Sequence, residues 1–488
     1  MLTALELVVN AKAIILIFFG NLLGTIVGAI PGLTATMTIA VLTPITFNFK
    51  PIEGILMLVG IYIGGIYGGS MSAILLNIPG TPSSLMTALD GYPLTKKGEP
   101  GRAIGIATLA SGLGGLLSIL VLITIAPIIA KYALKFGAAE YFALCAFGLS
   151  MVASLSQASL IKGLIAAAFG IWVTTIGMDP MIGVPRFTYG FTSLLSGLSY
   201  IPMMIGLFGV REVLTQISSE EFEIKQKIIK IGRVIPTFDD VKKLWKVILR
   251  GAGLGIFVGA LPGAGGSIGA IIGYNNARQT SKNPESFGKG NIEGIAAPES
   301  ANNASIGGAF IPLLTLGVPG DAITAILIGA FMIHNLRPGP LLYRNRPEII
   351  LSIYIGLLIA HIFLFLIGFY GSRYYANIVT VKKSLVMPVV LFVCMIGSFA
   401  YANRLFDILL MLIFGLLGFL MEKNGYPIAP MVLGIVLGPI MEMNFRTAIQ
   451  LADGNILVLF TRPISLILWI LLIISLTLPM IKKNIFNK

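Results

Sequence analysis

Gly24-Thr-Ile-Val-Gly28-Ala-Ile-Pro31-Gly32 returns later in the chain as Gly255-Ile-Phe-Val-Gly259-Ala-Leu-Pro262-Gly263. Both copies follow the pattern G-x-x-V-G-A-[I/L]-P-G inside long apolar runs. Each is followed by a second Pro-Gly, in Asn77-Ile-Pro79-Gly80 and in Gly317-Val-Pro319-Gly320. A Gly-Gly pair, Gly68-Gly69 or Gly307-Gly308, stands about eleven residues before that second proline. The chain therefore reads as a diverged duplication in which each copy carries two apolar segments broken at Pro-Gly.

Proline removes a backbone donor, and glycine leaves the helix easily. In hydrocarbon an unpaired backbone group is tolerated only where it is buried in protein or lines a wet cavity. A single Pro-Gly is an ordinary kink of a membrane helix. Four of them in corresponding places of two halves are the pattern of a transporter's substrate site.

Composition agrees. Of 488 residues, 56% are hydrophobic and 11% charged, against about 25% charged in soluble domains. Mean hydropathy is +0.91. The net charge of +13 sits in short loops between apolar runs, as a positive-inside bias places it. It gives no reason to expect nucleic acid; the expected surroundings are membrane lipid. Cys145 and Cys394 form no C-x-x-C and suggest no disulfide framework. The apolar run at the N-terminus continues into the repeat and has no A-x-A site, so it does not read as a signal peptide.

The predicted fold is an all-α polytopic membrane protein with two inverted repeats, broken (re-entrant) helices and about 10–13 membrane segments of ~20 residues each. Residues 1–210 form the first repeat, 211–250 a cytoplasmic linker, and 251–488 the second repeat with an extra C-terminal span. Residues 90–102 and 275–303 read as polar loops. The linker holds nine Lys or Arg, and the tail holds Lys482, Lys483 and Lys488, which places both inside the cell. Lys12 stands against Glu6 at the N-terminus, which leaves that end free to lie outside.

The polar candidates cluster at the breaks. A substrate site is expected from Gly32, Asn77, Gly80, Thr81, Ser83, Ser84, Gly263, Asn302, Asn303 and Gly320. A coupling-ion site is expected from Asn302, Asn303, Thr315 and Asp321. Helix starts after Pro-Gly present free N–H groups to an anion, and unwound carbonyls with Asn, Thr and Asp oxygens suit a hard cation such as Na⁺. A proton is the other candidate for coupling. Asn302 and Asn303 are expected beside the Pro319 break, with Asn77. Each residue has a plainer reading too. Ser and Thr glue membrane helices together, Asn302-Asn303 can cap a helix, and Asp321 can stabilise a helix N-terminus. Gly80 and Gly320 are expected to leave room for a ligand against their backbone.

Enzyme chemistry finds no footing. Gly251-x-Gly253 is not followed by a glycine at position 256, and no G-x-x-x-x-G-K-[S/T] occurs. His334 and His361 lie without zinc-ligand spacing. No G-x-S-x-G is present, and no cofactor is expected.

The chain resembles the large membrane subunit of the tripartite tricarboxylate transporters, the TctA family. The resemblance rests on Gly28–Gly32, Tyr67–Gly80, Thr87–Pro93, Gly259–Gly263, Gly290–Gly294, Ala297–Ala304, Gly307–Gly320 and Arg337–Pro340. Glu442–Arg446, Asp453-Gly454 and Thr461–Ser465 extend it to nearly the whole chain. It implies the permease of an ion-gradient-driven secondary transporter in the cytoplasmic membrane. That permease would work with a small membrane subunit and an extracytoplasmic solute-binding protein that delivers a small carboxylate. Pro82 and Asp321 depart from the family pattern beside the expected site, which leaves the carboxylate open. The alternatives are a passive anion channel, which needs a continuous polar lining, and a membrane-embedded enzyme, which needs an acid/base or metal constellation.

Overall fold

The computed structural model describes residues 2–155, 159–218, 231–378 and 383–486. They are overwhelmingly helical. In the first half, α1 (Leu2–Val8) and α2 (Ala11–Ala29) lead to the first break, and α3 (Ala35–Leu42) follows it. Next come α4 (Pro51–Leu76), the second break, α5 (Leu85–Lys96), α6 (Pro100–Ala133), α7 (Ala138–Leu155) and α8 (Leu160–Thr174). A two-stranded hairpin, β1 (Gly177–Met178) and β2 (Pro185–Arg186), precedes α9 (Tyr200–Met204) and α10 (Arg211–Ser218).

The second half repeats the order. It has α11 (Phe238–Gly259), a break, α12 (Gly265–Thr280), α13 (Glu293–Leu316), a break and α14 (Ala322–Ile333). Then come α15 (Pro340–Asn345), α16 (Pro347–Ile378), α17 (Lys383–Ala402), α18 (Leu405–Lys423), α19 (Ile428–Leu451), α20 (Val458–Thr461) and α21 (Pro463–Phe486).

Among the described residues, six helices are long and apolar enough to cross a bilayer: α2, α4, α6, α16, α18 and α19. Six shorter apolar helical stretches lie in α3, α7, α8, α14, α17 and α21. Of the six long ones, α4 is buried along nearly its whole length, so it runs through the middle of the protein rather than along lipid.

Packing follows from small residues. A Cβ on Gly20, Gly24 or Gly28 of α2 would strike the backbone of Met57, Ile61 or Gly65 on α4. In return, Gly60, Gly64 and Gly68 of α4 abut the backbone near Ile17, Asn21 and Thr25. The helices meet backbone to backbone, as small-residue stripes allow in membranes.

Two sequence expectations change. The polar stretch 90–102 is not a loop. The first part of it continues α5, in which Thr87 and Asp90 are buried, and Pro100 opens α6. Likewise 275–303 is mostly helix, shared by α12 and α13, with only 281–292 between them. The 211–250 linker is helical at both ends, in α10 and α11, and its centre at 219–230 lies outside the described residues. Residues 487–488 of the basic tail lie outside them too.

Candidate functional site

All four Pro-Gly sites interrupt helices. Gly32 and Gly263, the glycines of the first break in each half, have φ of +92° and +79°, a region that L side chains avoid. At the second break, α4 ends on Asn77 (φ 59°) and α13 ends on Gly317 (φ 71°), both left-handed. The Asn77 amide donates to Ala73 and Ser72, and the Gly317 amide to Leu313 and Pro312. These are the same steps back along each helix.

The equivalence extends through the core. As Gly24 and Gly28 abut Ile61 and Gly65, so Gly255 and Gly259 abut Ala301 and Ser305. Gly80 packs on Gly28 and Gly69, and Gly320 on Gly259 and Ala309. Along α4 and α13, equivalent residues therefore differ by 240 in number. Gly68 matches Gly308, and Gly69 matches Ala309, so the two Gly-Gly pairs are out of step by one residue.

The second breaks also lock the halves together. Asp321 caps α14, its carboxylate accepting from the Thr324 amide at 2.8 Å. The Tyr62 hydroxyl, from α4 in the other half, donates to the same carboxylate. Helix α14 packs on α3 and α4. In the opposite sense, the turn at Pro82–Ser84 packs on α12 and α13. Thr81 and Ser84 cap that turn, with the Thr81 amide donating to Ser84 Oγ at 3.2 Å, and Ser83 Oγ lies 3.0 Å from Thr81 Oγ1.

Asn302 and Asn303 lie in the middle of α13, nine and ten residues after its start at Glu293. Neither caps a helix. Both are fully buried. The Asn302 side chain lies over Gly266, just after the Pro262-Gly263 break, where a Cβ would strike its Oδ1. Neither its Oδ1 nor its Nδ2 has a hydrogen-bond partner among the described residues. Asn303 donates a long 3.4 Å bond to the Glu299 carbonyl, and its Oδ1 has no partner there. Asn302 therefore flanks the first break of its half.

Other candidates take structural parts. Asn77 is exposed and serves as the left-handed end of α4. Thr315 turns its hydroxyl to the Ile311 carbonyl at 2.7 Å within its own helix. The space expected beside Gly80 and Gly320 is filled by helix backbone, and that beside Gly32 by the Gln216 side chain. The Gly263 amide donates to the Gly320 carbonyl at 2.7 Å, which joins the two breaks of the second half directly.

The residue that sequence reasoning passed over is Glu299. It is fully buried in α13. Ser70 Oγ and Thr87 Oγ1 each lie 2.5 Å from its Oε1, and Ser111 Oγ lies 2.7 Å from Oε2. The signal was available: it is a carboxylate inside the apolar repeat, four residues before Asn303.

A second charged group is structural. Arg446 of α19 holds Asp179 at 2.7 Å and Glu442 at 2.9 Å, and Glu442 holds Arg186 of β2 at 2.5 Å. The Met181 amide above all, with the Ile182 amide and the Arg446 guanidinium, lowers the Asp179 carboxyl to about 2. The group fastens the hairpin to α19. No cluster of three His, Cys, Asp or Glu residues suited to a metal occurs among the described residues.

The comparisons with known proteins point one way. The model of the tripartite tricarboxylate transporter TctA family matches residues 14–433. An uncharacterized 52.8 kDa protein in the TAR-I ttuC' 3' region of Agrobacterium vitis is 38% identical over 451 residues, 92% of this chain and 89% of its own. An uncharacterized protein in the TAR-II ttuC' 3' region of the same organism is 34% identical over 211 residues, 43% of this chain and 87% of its own. No solved structure matches. With six membrane-crossing helices, duplicated breaks and this match, the chain is a multi-pass membrane protein that belongs to the tripartite tricarboxylate transporter TctA family, a family of transporters and not of enzymes.

Proposed function

We propose that this chain is the permease of an importer in the cytoplasmic membrane, driven by an ion gradient, that moves a small carboxylate between two inverted repeats. A small membrane subunit and an extracytoplasmic binding protein would complete the system, as the tripartite family suggests. The observation that carries the reading is Asn302, an amide with neither end partnered, buried at a helix break. Such a group is costly unless something bonds it. An amide can donate N–H to a carboxylate. The turn at Pro82–Ser84 and helix α5 press on the same helix from the other half, which supports a substrate site shared between the repeats. No Lys or Arg lies in the Pro-Gly stretches, so the anion would rest on helix ends, amides and hydroxyls.

The test is concentrative uptake. The chain is reconstituted with its two partners in liposomes and given radiolabelled citrate, then a panel of mono- and dicarboxylates, under an imposed pH or Na⁺ gradient. Accumulation above equilibrium that collapses with an ionophore is expected. Equilibration without accumulation would make the protein a passive channel.

A further inference from the structure

We propose that Glu299 is the group that takes up and releases the coupling proton; this rests on the transport reading above. Its three hydroxyl partners come from three helices of the other half: Ser70 from α4, Thr87 from α5 and Ser111 from α6. Helical hydroxyls usually turn back to a carbonyl of their own helix, as those of Thr25, Thr108 and Thr315 do here. Ser70, Thr87 and Ser111 turn across to the carboxylate instead. A fully buried carboxylate held by neutral donors alone, inside a membrane protein, marks a functional group.

Among the described residues Glu299 has no ion pair; His361 of α16, buried and without a partner on Nε2, lies against Gly115 of α6, one turn from Ser111. On α4, Tyr67 pairs with Thr108 of α6 at 2.6 Å. On α5, Asp90 accepts the Gly288, Gly290 and Asn291 amides and the Tyr274 hydroxyl of α12. Arg102 of α6 is engaged with Glu99 and Asp240, and Tyr343 of α15 with Tyr354. On α4, Glu53 pairs with Lys12, and Tyr62 with Asp321 of the turn before α14. Arg250 and the lysines of α11, Arg278 of α12 and Arg344 of α15 are exposed.

Three hydroxyls donating to one carboxylate suit its ionised form, and the chemistry that such a group offers is proton exchange. In the step proposed, hydronium gives its proton to one carboxylate oxygen, forming an O–H bond and releasing water. The new hydroxyl has to donate, so at least one of the three partners must turn its own hydrogen elsewhere. Protonation thus resets the ties between the halves, one turn from Asn302 and Asn303.

The experiment uses full-length wild type, Glu299→Gln and Ser111→Ala in liposomes. Infrared difference spectra are recorded between pH 4 and 10 in KCl. A protonated-carboxyl C=O band that titrates in wild type, is absent from Glu299→Gln, and shifts in Ser111→Ala is expected. No such band, or one removed by NaCl in place of KCl, would overturn the proposal. With the partner subunits added, Glu299→Gln is expected to lower the ratio of pH-driven citrate accumulation to citrate exchange at least tenfold; an unchanged ratio would also overturn it. If wild type moves no carboxylate while the band titrates, the transport reading fails and the proton site stands.

Discussion

Asn302 and Glu299 sit one turn apart on the same helix, and the sequence treats them differently. The amides stand out because two are adjacent in the most family-specific element. Glu299 hides in that element, since nothing in its neighbours on the chain says that three hydroxyls from residues 70, 87 and 111 will meet it. Those partners lie nearly two hundred or more residues away, beyond any local pattern. The mid-helix place of Asn302 removes capping as its role and leaves a direct test. Asn302→Asp is expected to reduce carboxylate uptake more than Asn302→Ala at matched expression, by at least tenfold relative to it. A second negative charge where water is scarce costs several kcal/mol, whereas alanine only withdraws an amide. Uptake by Asp equal to or better than Ala would take Asn302 out of the anion's path.

At the scale of elements, the breaks were legible because Pro-Gly is local chemistry, and all four interrupt helices where the repeat places them. Loops were less legible. Residues 90–96 and 293–303 look hydrophilic yet are helical: Asp90 and Glu299 each meet donors of the other half, and Ser300 bonds the Ile248 carbonyl. The glycine stripes have a sharp consequence. Gly255 faces the Ala301 backbone, while Gly253, two residues away on α11, faces open space. Gly255→Ala is expected to destabilise the protein by ~1–3 kcal/mol through overpacking. Gly253→Ala is expected to stabilise it by about 0.5–1 kcal/mol through helix entropy. Thermal melting in detergent reads both signs. The hairpin gives a pH prediction. Because the folded Asp179 carboxyl titrates at about 2, below its ordinary value near 4, its stabilising ties are complete above that value. They are lost as pH falls from about 4 to about 2. Pepsin cleavage within residues 177–199 should rise over that window, and Asp179→Asn should flatten the rise.

For the whole molecule, the sequence carried the helical membrane fold and the duplication, but not how the copies engage. Tyr62 on Asp321, and Pro82–Ser84 on α12 and α13, are contacts between halves that no periodicity announces. Inversion of the repeats remains a proposal with its own check. Single cysteines placed in 211–250 and after 480 should react only from the cytoplasmic side, and one near the N-terminus only from outside. External labelling of the linker in intact cells would refute that arrangement.

The register shared by α4 and α13 sets Val59 opposite Glu299 and Tyr62 opposite Asn302. A symmetric pair of identical half-length chains would carry that acid twice or lack it altogether. Joining the halves in one polypeptide lets it be carried once, with all its donors on the half that lacks it. If Glu299 is the only such group in the cycle, the fused chain counts a single proton for each turn, and its stoichiometry is written in one unmatched residue.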